Sequence, residues 1–218
     1  MAKDIEQLAF VLHRRAYRET SLLVTFFTAD FGKQNAVVKG VRTGSRAAAA
    51  KQAWLQPFQG VNIGWRERQG RTSDLVALNH LESAQLRFPL AGEASVCGLY
   101  VNELLYRLLY PSLATDRLFE AYQQTLYDLA VSRNRSDQAW ALRQFEYELL
   151  SELGVAFQIE TDHRQQPLVI QQRYWFHPEQ GLFAENDAAL PTGMVGVWVT
   201  GDCLLKLAKG CFCEGCLR

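Results

Sequence analysis

Leu8-Ala9-Phe10-Val11-Leu12-His13, Leu22-Leu23-Val24-Thr25-Phe26-Phe27 and Gln34-Asn35-Ala36-Val37-Val38-Lys39 decide the fold. Each is a short run rich in β-branched or aromatic residues, the composition of a strand. Thr28-Ala29-Asp30-Phe31-Gly32 is a turn signal, so the short gap between the second and third runs predicts a hairpin. Further out, Trp54–Trp65 and Leu75–Leu86 supply two more extended segments. A polar loop, Arg42-Thr43-Gly44-Ser45-Arg46-Ala47-Ala48-Ala49-Ala50-Lys51, separates them from the first three. Five strands in so short a stretch suit a small closed barrel, for which the OB-fold is a common solution.

The period changes near Pro89. Cys97, Tyr100, Val101, Leu104, Leu105 and Leu108 recur at helical spacing. Leu118, Tyr122, Leu126 and Leu129 do the same, as do Leu142, Phe145, Leu149 and Leu153. Thr115 or Asp116 is placed to cap the second helix and Ser136 the third, and Gly154 stands where a helix ends. Each helix has an apolar stripe to bury. Pro167–Phe176 and Gly181–Phe183 read as short strands about a turn at His177-Pro178-Glu179. The expected class is α+β. Residues 1–86 form an OB-type barrel for nucleic acid, and residues 87–218 a mainly helical domain with a small β insertion (about 165–185) and a cysteine-containing tail. The boundary is expected near 84–92.

A net charge of zero hides an asymmetry: residues 1–86 hold 12 Lys/Arg against 7 Asp/Glu, and residues 87–218 hold 11 against 16. A basic half favours a polyanion even at neutral overall charge; the competing reading is a solvated charged surface. No apolar run is long enough to span a membrane, and Met1–Glu6 carries acids and no apolar core, so no secretory signal is expected. Five cysteines is an odd number, and four of them crowd Cys203–Cys216, which suits reduced thiols in a cytoplasm better than a disulfide framework.

Catalytic motifs are missing. Gly40–Arg46 has the wrong spacing for a P-loop, and neither G-x-S-x-G nor H-E-x-x-H occurs. The tail offers one C-x2-C knuckle at Cys213 and Cys216, where structural zinc usually takes two, so no metal and no cofactor is expected. The cations of the first domain carry more information. Arg14, Arg15 and Arg18 flank Tyr17, and Lys33 follows the hairpin turn. Lys39, Arg42, Arg46 and Lys51 bracket the polar loop, and Arg66, Arg68 and Arg71 cluster in the next turn. Loop cations on a barrel can track phosphates, and aromatic rings on its face can stack bases. Trp54, Phe58 and Trp65 are candidates for stacking; the alternative is that they fill the barrel.

Several of these segments resemble the RecO family. Leu8–His13, Glu19-Thr20-Ser21-Leu22, Phe27-Thr28, Gly32-Lys33 and Val38-Lys39-Gly40-Val41-Arg42 are similar to its opening, and Leu55-Gln56-Pro57-Phe58 to its next signature. Gly98–Leu105, then Leu142-Arg143-Gln144-Phe145-Glu146 with Leu149-Leu150 and Leu153-Gly154, resemble its helical motifs, in order, over roughly residues 8–160. The resemblance implies a DNA repair and recombination mediator, not an enzyme. Such a protein binds single- and double-stranded DNA, anneals complementary strands, and works with RecR and the acidic tail of single-stranded-DNA-binding protein so that RecA loads at gaps. For docking that tail, Arg143 beside Leu142 is the first candidate, with Arg107 and Arg117 behind it; the alternative for Arg143 is an intrahelical contact to Glu146 or Tyr147. Two departures stand out. Some members carry a four-cysteine zinc site after the helix that ends at Gly154, but Ile159–Arg164 has no cysteine here, and the tail reads as shortened. A protein-docking adaptor with a barrel that is only scaffold, and a zinc or redox protein using the tail cysteines, are the competing functions.

Overall fold

The computed structural model describes residues 3–67, 75–190 and 196–211. The chain divides into two compact units, Met1–Ser132 and Arg133–Arg218.

The first unit is built on β1 (Lys3–Tyr17), β2 (Ser21–Thr28), β3 (Gly32–Val38), β4 (Gln59–Glu67) and β5 (Leu75–Arg87). They close into a barrel in the order β1-β2-β3-β5-β4. All neighbouring pairs are antiparallel except β3 and β5, which meet in parallel over three residues only, Asn35–Val37 with Leu75–Ala77. Alternation is clean on β3, where Gln34, Ala36 and Val38 are buried and Lys33, Asn35 and Val37 are partly open. Val11, Val24, Phe26, Val61, Ile63 and Trp65 fill the interior.

One expectation fails here, and the choice between stacking and core is decided. The polar loop is in part a helix, α1 (Arg46–Trp54): the alanine run has the highest helix propensity, and Ser45 caps it by accepting from the Ala48 N–H at 3.2 Å. Trp54 therefore ends a helix rather than opening a strand, and β4 begins only at Gln59. Of the rings named for stacking, Phe58 is 7% exposed and lies against Gly98, Trp54 packs partly buried against the barrel core, and Trp65, 3% exposed, belongs to the barrel interior. The interior of so small a barrel is filled by side chains, and Trp65 on β4 supplies part of that volume.

Helices α2 (Gly92–Leu108) and α3 (Asp116–Val131) pack on the barrel within the same unit. Phe10 and Phe27 on the outside of β1 and β2 meet Phe119 and Tyr122 at ring separations of 5.2–5.7 Å. A buried polar pair sits among these rings. Asn102 donates to the Val11 carbonyl (3.2 Å) and accepts from the Tyr122 hydroxyl (2.7 Å), so its amide is not left unpaired. Burial also pushes the Tyr122 phenol far above its ordinary range. Thr115 occupies the N-cap of α3, but its side chain makes no capping bond and its buried hydroxyl has no partner among the described residues.

The second unit holds α4 (Arg135–Glu152), β6 (Arg173–His177), β7 (Gly181–Ala184), β8 (Val197–Thr200) and α5 (Gly201–Ala208). The cap of α4 is Asn134, not Ser136; the Asn134 carboxamide accepts from the Asp137 N–H at 2.9 Å. Gly154, at φ +71°, follows the end of α4 as expected. The three strands order as β7-β6-β8 around Ile159, Leu168, Tyr174, Leu182 and Leu204. The third strand and α5 have no counterpart in the sequence reading, and the strand expected over Pro167–Phe176 shortens to Arg173–His177. Among the described residues, no helix is long and apolar enough to cross a membrane and no group of His, Cys, Asp and Glu could hold a metal ion. Cys203 is buried beside Trp140; Cys213 and Cys216 lie outside the described residues.

Candidate nucleic-acid interface

The outer surface of the barrel is half covered. Phe10 and Phe27 lie under the helices, whereas further along the same strands the surface is open. The change begins at a bulge in β1: Val11 opposes Phe26, but His13 opposes Thr25, so Leu12 is an extra residue. In an unbroken strand Val11 and His13 would share a face. The extra residue keeps Val11 in the core and turns His13 outward.

Beyond the bulge two cross-strand rows run over four strands. The first is His13–Thr25–Asn35–Leu75 and the second Arg15–Leu23–Val37–Ala77. A groove of about 300 Å³ is lined by the whole first row, Arg15, Leu23 and, from α2, Tyr106. A second, of about 470 Å³, is lined by Val37, Val38, Lys39, Lys51 and Leu75 to Leu81 of β5. Leu75 lines both, so the two adjoin. Among the described residues no carboxylate lines either groove. Tyr106 stacks on His13, with ring centroids 4.7 Å apart. Thr25 donates to Asn35 Oδ1 at 2.7 Å.

The cations named from sequence divide into groups. Arg15 lines the first groove, and Lys39 and Lys51 the second. Arg14, on the opposite face of β1 from Arg15, donates to Gln56 Oε1 at 3.0 Å, and Arg42 donates to the Arg18 carbonyl at 3.1 Å. Both of these acceptors are neutral groups, not carboxylates. Arg18 lies over the Tyr17 ring, and Arg46 is exposed on the first turn of α1. Lys33 is engaged: its ammonium donates to the Tyr106 carbonyl at 2.7 Å, and burial lowers its pKa. Arg66 pairs with Asp4 at 3.0 Å; that hydrogen-bonded pair lowers the Asp4 pKa and raises that of Arg66. Arg68, with Arg71, lies outside the described residues.

The three arginines considered for docking are divided between the two units. Arg107 pairs with Glu103 along α2, and Arg117 is exposed at the start of α3. Arg143, in the other unit, pairs with Glu146, which is the intrahelical alternative. Sequence reasoning does not single out His13, Thr25, Asn35 and Tyr106. Period-two alternation points to the strand residues, but the bulge and the approach of α2 have no local signature.

The chain matches the two parts of one family, one along each half. Residues 1–86 match the family described as Recombination protein O N terminal, and residues 90–208 match Recombination protein O C terminal. The chain belongs to the RecO family. It is 37% identical to the DNA repair protein RecO of Alteromonas mediterranea over 94% of this chain and 82% of that one. It is 42% identical to the protein of the same name from Pseudoalteromonas atlantica over 85% and 74%, and 36% identical to that from Nitrosospira multiformis over 94% and 79%.

Proposed function

We propose that this chain is a DNA repair and recombination mediator that carries single strands along the open outer face of its barrel. The supporting observation is the pair of four-strand rows with their two adjoining grooves, whose lining among the described residues holds no carboxylate and includes Arg15, Lys39 and Lys51. The strand order and parallel β3–β5 closure agree with an OB barrel, a fold whose strands 2 and 3 and flanking loops take oligonucleotides. Arg14, Arg18, Arg42 and Arg46 extend the positive field over the α1 end, and double-stranded DNA is held by the same field. On this reading the protein anneals complementary strands, works with RecR and leaves RecA loaded at gaps. It does so in the cytoplasm, at the nucleoid, and without catalysis of its own.

The test is binding of short single strands at rising salt. With about five phosphates neutralised, log K falls against log salt with a slope near −3.5. A slope near zero rejects the electrostatic reading. Replacing Lys39 and Lys51 together weakens all sequences alike, because phosphate contacts carry no sequence information. Annealing of complementary strands coated with single-stranded-DNA-binding protein tests the mediator role. For docking the tail of that protein, Arg143 has to exchange Glu146 for a tail carboxylate. Arg143→Ala then costs about 1–3 kcal/mol in tail binding and leaves bare-strand annealing intact.

A protein-docking adaptor is the second reading, favoured by the exposed Val96, Leu99, Tyr100 and Leu108 of α2. It requires strand annealing to survive the loss of Lys39 and Lys51.

A further inference from the structure

We propose that the groove beneath Tyr106 is a subsite for one unstacked nucleobase, and that it favours bases presenting a carbonyl. This rests on the DNA reading above and names which atoms make the contact.

Three observations carry it. First, the groove has an aromatic wall that is already ordered. Tyr106 is fixed by the Lys33 ammonium, which donates to its carbonyl at 2.7 Å and lies 5.7 Å from the centre of its ring. His13 stacks on that ring and is exposed, so imidazole surface remains for a second ring to meet. A base arriving there extends a stack instead of starting one.

Second, the floor has one polar spot. Thr25 and Asn35 are direct cross-strand partners between His13 and the apolar Leu75. The Thr25 hydroxyl is donated to Asn35 Oδ1, while Asn35 Nδ2 has no hydrogen bond among the described residues. A carboxamide can grip adenine with its oxygen and nitrogen together. Here the oxygen is already engaged and the free group is a donor. It suits the carbonyl of thymine better than the amino edge of adenine.

Third, the phosphates have somewhere to go. Arg15 stands in the second row beside the subsite, and the adjoining groove leads past Leu75 to Lys39 and Lys51. With no carboxylate on the described lining, a backbone that follows the groove meets only cations and neutral groups.

The experiment measures binding of the full chain to short oligo-dT and oligo-dA, with variants checked by thermal melting. His13→Ala is expected to weaken both strands by about tenfold, the size of a lost stacking contact. Asn35→Ala is expected to lower the dT-over-dA ratio by about fivefold, the worth of one hydrogen bond. In the wild-type protein, a strand carrying 4-thiothymidine is expected to cross-link on irradiation to the peptide holding His13 or the one holding Tyr106, a readout independent of any variant's folding. If the wild-type protein binds neither strand, the DNA reading fails and the subsite with it. If it binds both and ignores both substitutions, or cross-links only elsewhere, the subsite alone is overturned.

Discussion

The Cα of Gly32 lies against the backbone carbonyl of Leu113: a β-carbon on Gly32 would stand 1.9 Å from that oxygen. The segment leaving α2 pairs with the β2–β3 hairpin almost as a further strand. Pro111 bridges Gly32 and Lys33, the Ser112 N–H donates to the Lys33 carbonyl, and the Thr115 N–H donates to the Ala29 carbonyl. Gly32 also sits at φ +54°, where a side chain is strained in any case. Gly32→Ala is therefore expected to cost about 2–4 kcal/mol, from backbone strain together with the clash. Gly40, at φ +67°, isolates the strain alone, because a β-carbon added there would meet nothing within 4 Å. Gly40→Ala is expected to cost only about 1 kcal/mol. Equal urea midpoints for the two variants would show that the hairpin and the α2–α3 segment are not clamped.

The buried Val11–Asn102–Tyr122 chain is expected to behave as a unit. Tyr122→Phe removes one hydrogen bond and costs about 1–2 kcal/mol. Asn102→Ala strands both the Val11 carbonyl and the Tyr122 hydroxyl and costs about 2–4 kcal/mol. In a double-mutant cycle the two losses should fall short of additivity, because they share a bond. Strict additivity in chemical denaturation would mean that the bond between them contributes nothing.

Cutting the chain after residue 86, where the N-terminal family match ends, is expected to fail. Phe10 and Phe27 are both fully buried, and their neighbours include Phe119 and Tyr122. A fragment of residues 1–86 exposes both rings on adjacent strands, an aggregation-prone patch. A fragment of residues 1–132 keeps them covered. Size-exclusion elution and cooperative thermal melting of the two fragments check this. A monomeric, cooperatively melting 1–86 fragment would show that the helices are dispensable to the barrel.

Much of the fold is readable in the chain because period and turn chemistry are local. Leu22–Phe27 and Gln34–Lys39 carry their own strand signal, and Gly154 marks the end of α4. What cannot be read depends on contacts distant in sequence. The alanine run of α1 reads as a loop because only Ala48 of that helix is buried, leaving no apolar period to detect. The site is less legible than the fold. Charge points to the basic half of the molecule, but Lys33 and Arg66 are engaged by Tyr106 and Asp4, residues remote in the sequence. His13 joins the open face only through a bulge that composition does not announce.

On the proposed function, the Asp4–Arg66 pair decides whether Arg66 is available to DNA. Both side chains are well exposed, and the Asp4 carboxyl is held below its ordinary range, first by its hydrogen bond to Arg66 and then by the guanidinium charge. For a depressed carboxylate the stabilisation is fully present above the unfolded pKa and is lost as pH falls through the folded one. The pair is thus intact at neutral pH and opens only in acid, below the ordinary aspartate value of 3.8. Asp4→Asn removes the competitor at neutral pH instead. An exposed pair contributes little to folding, so the thermal midpoint should hardly move. Binding to single strands should tighten at low salt, and the slope of log K against log salt should steepen by about 0.7, one more phosphate neutralised. Arg66→Ala should leave the wild-type slope as it is, and in the Asp4→Asn background it should remove the gain. If Asp4→Asn leaves the slope unchanged, Arg66 lies off the path of the strand, and the field that guides it is confined to Arg15, Lys39, Lys51 and the α1 end of the barrel.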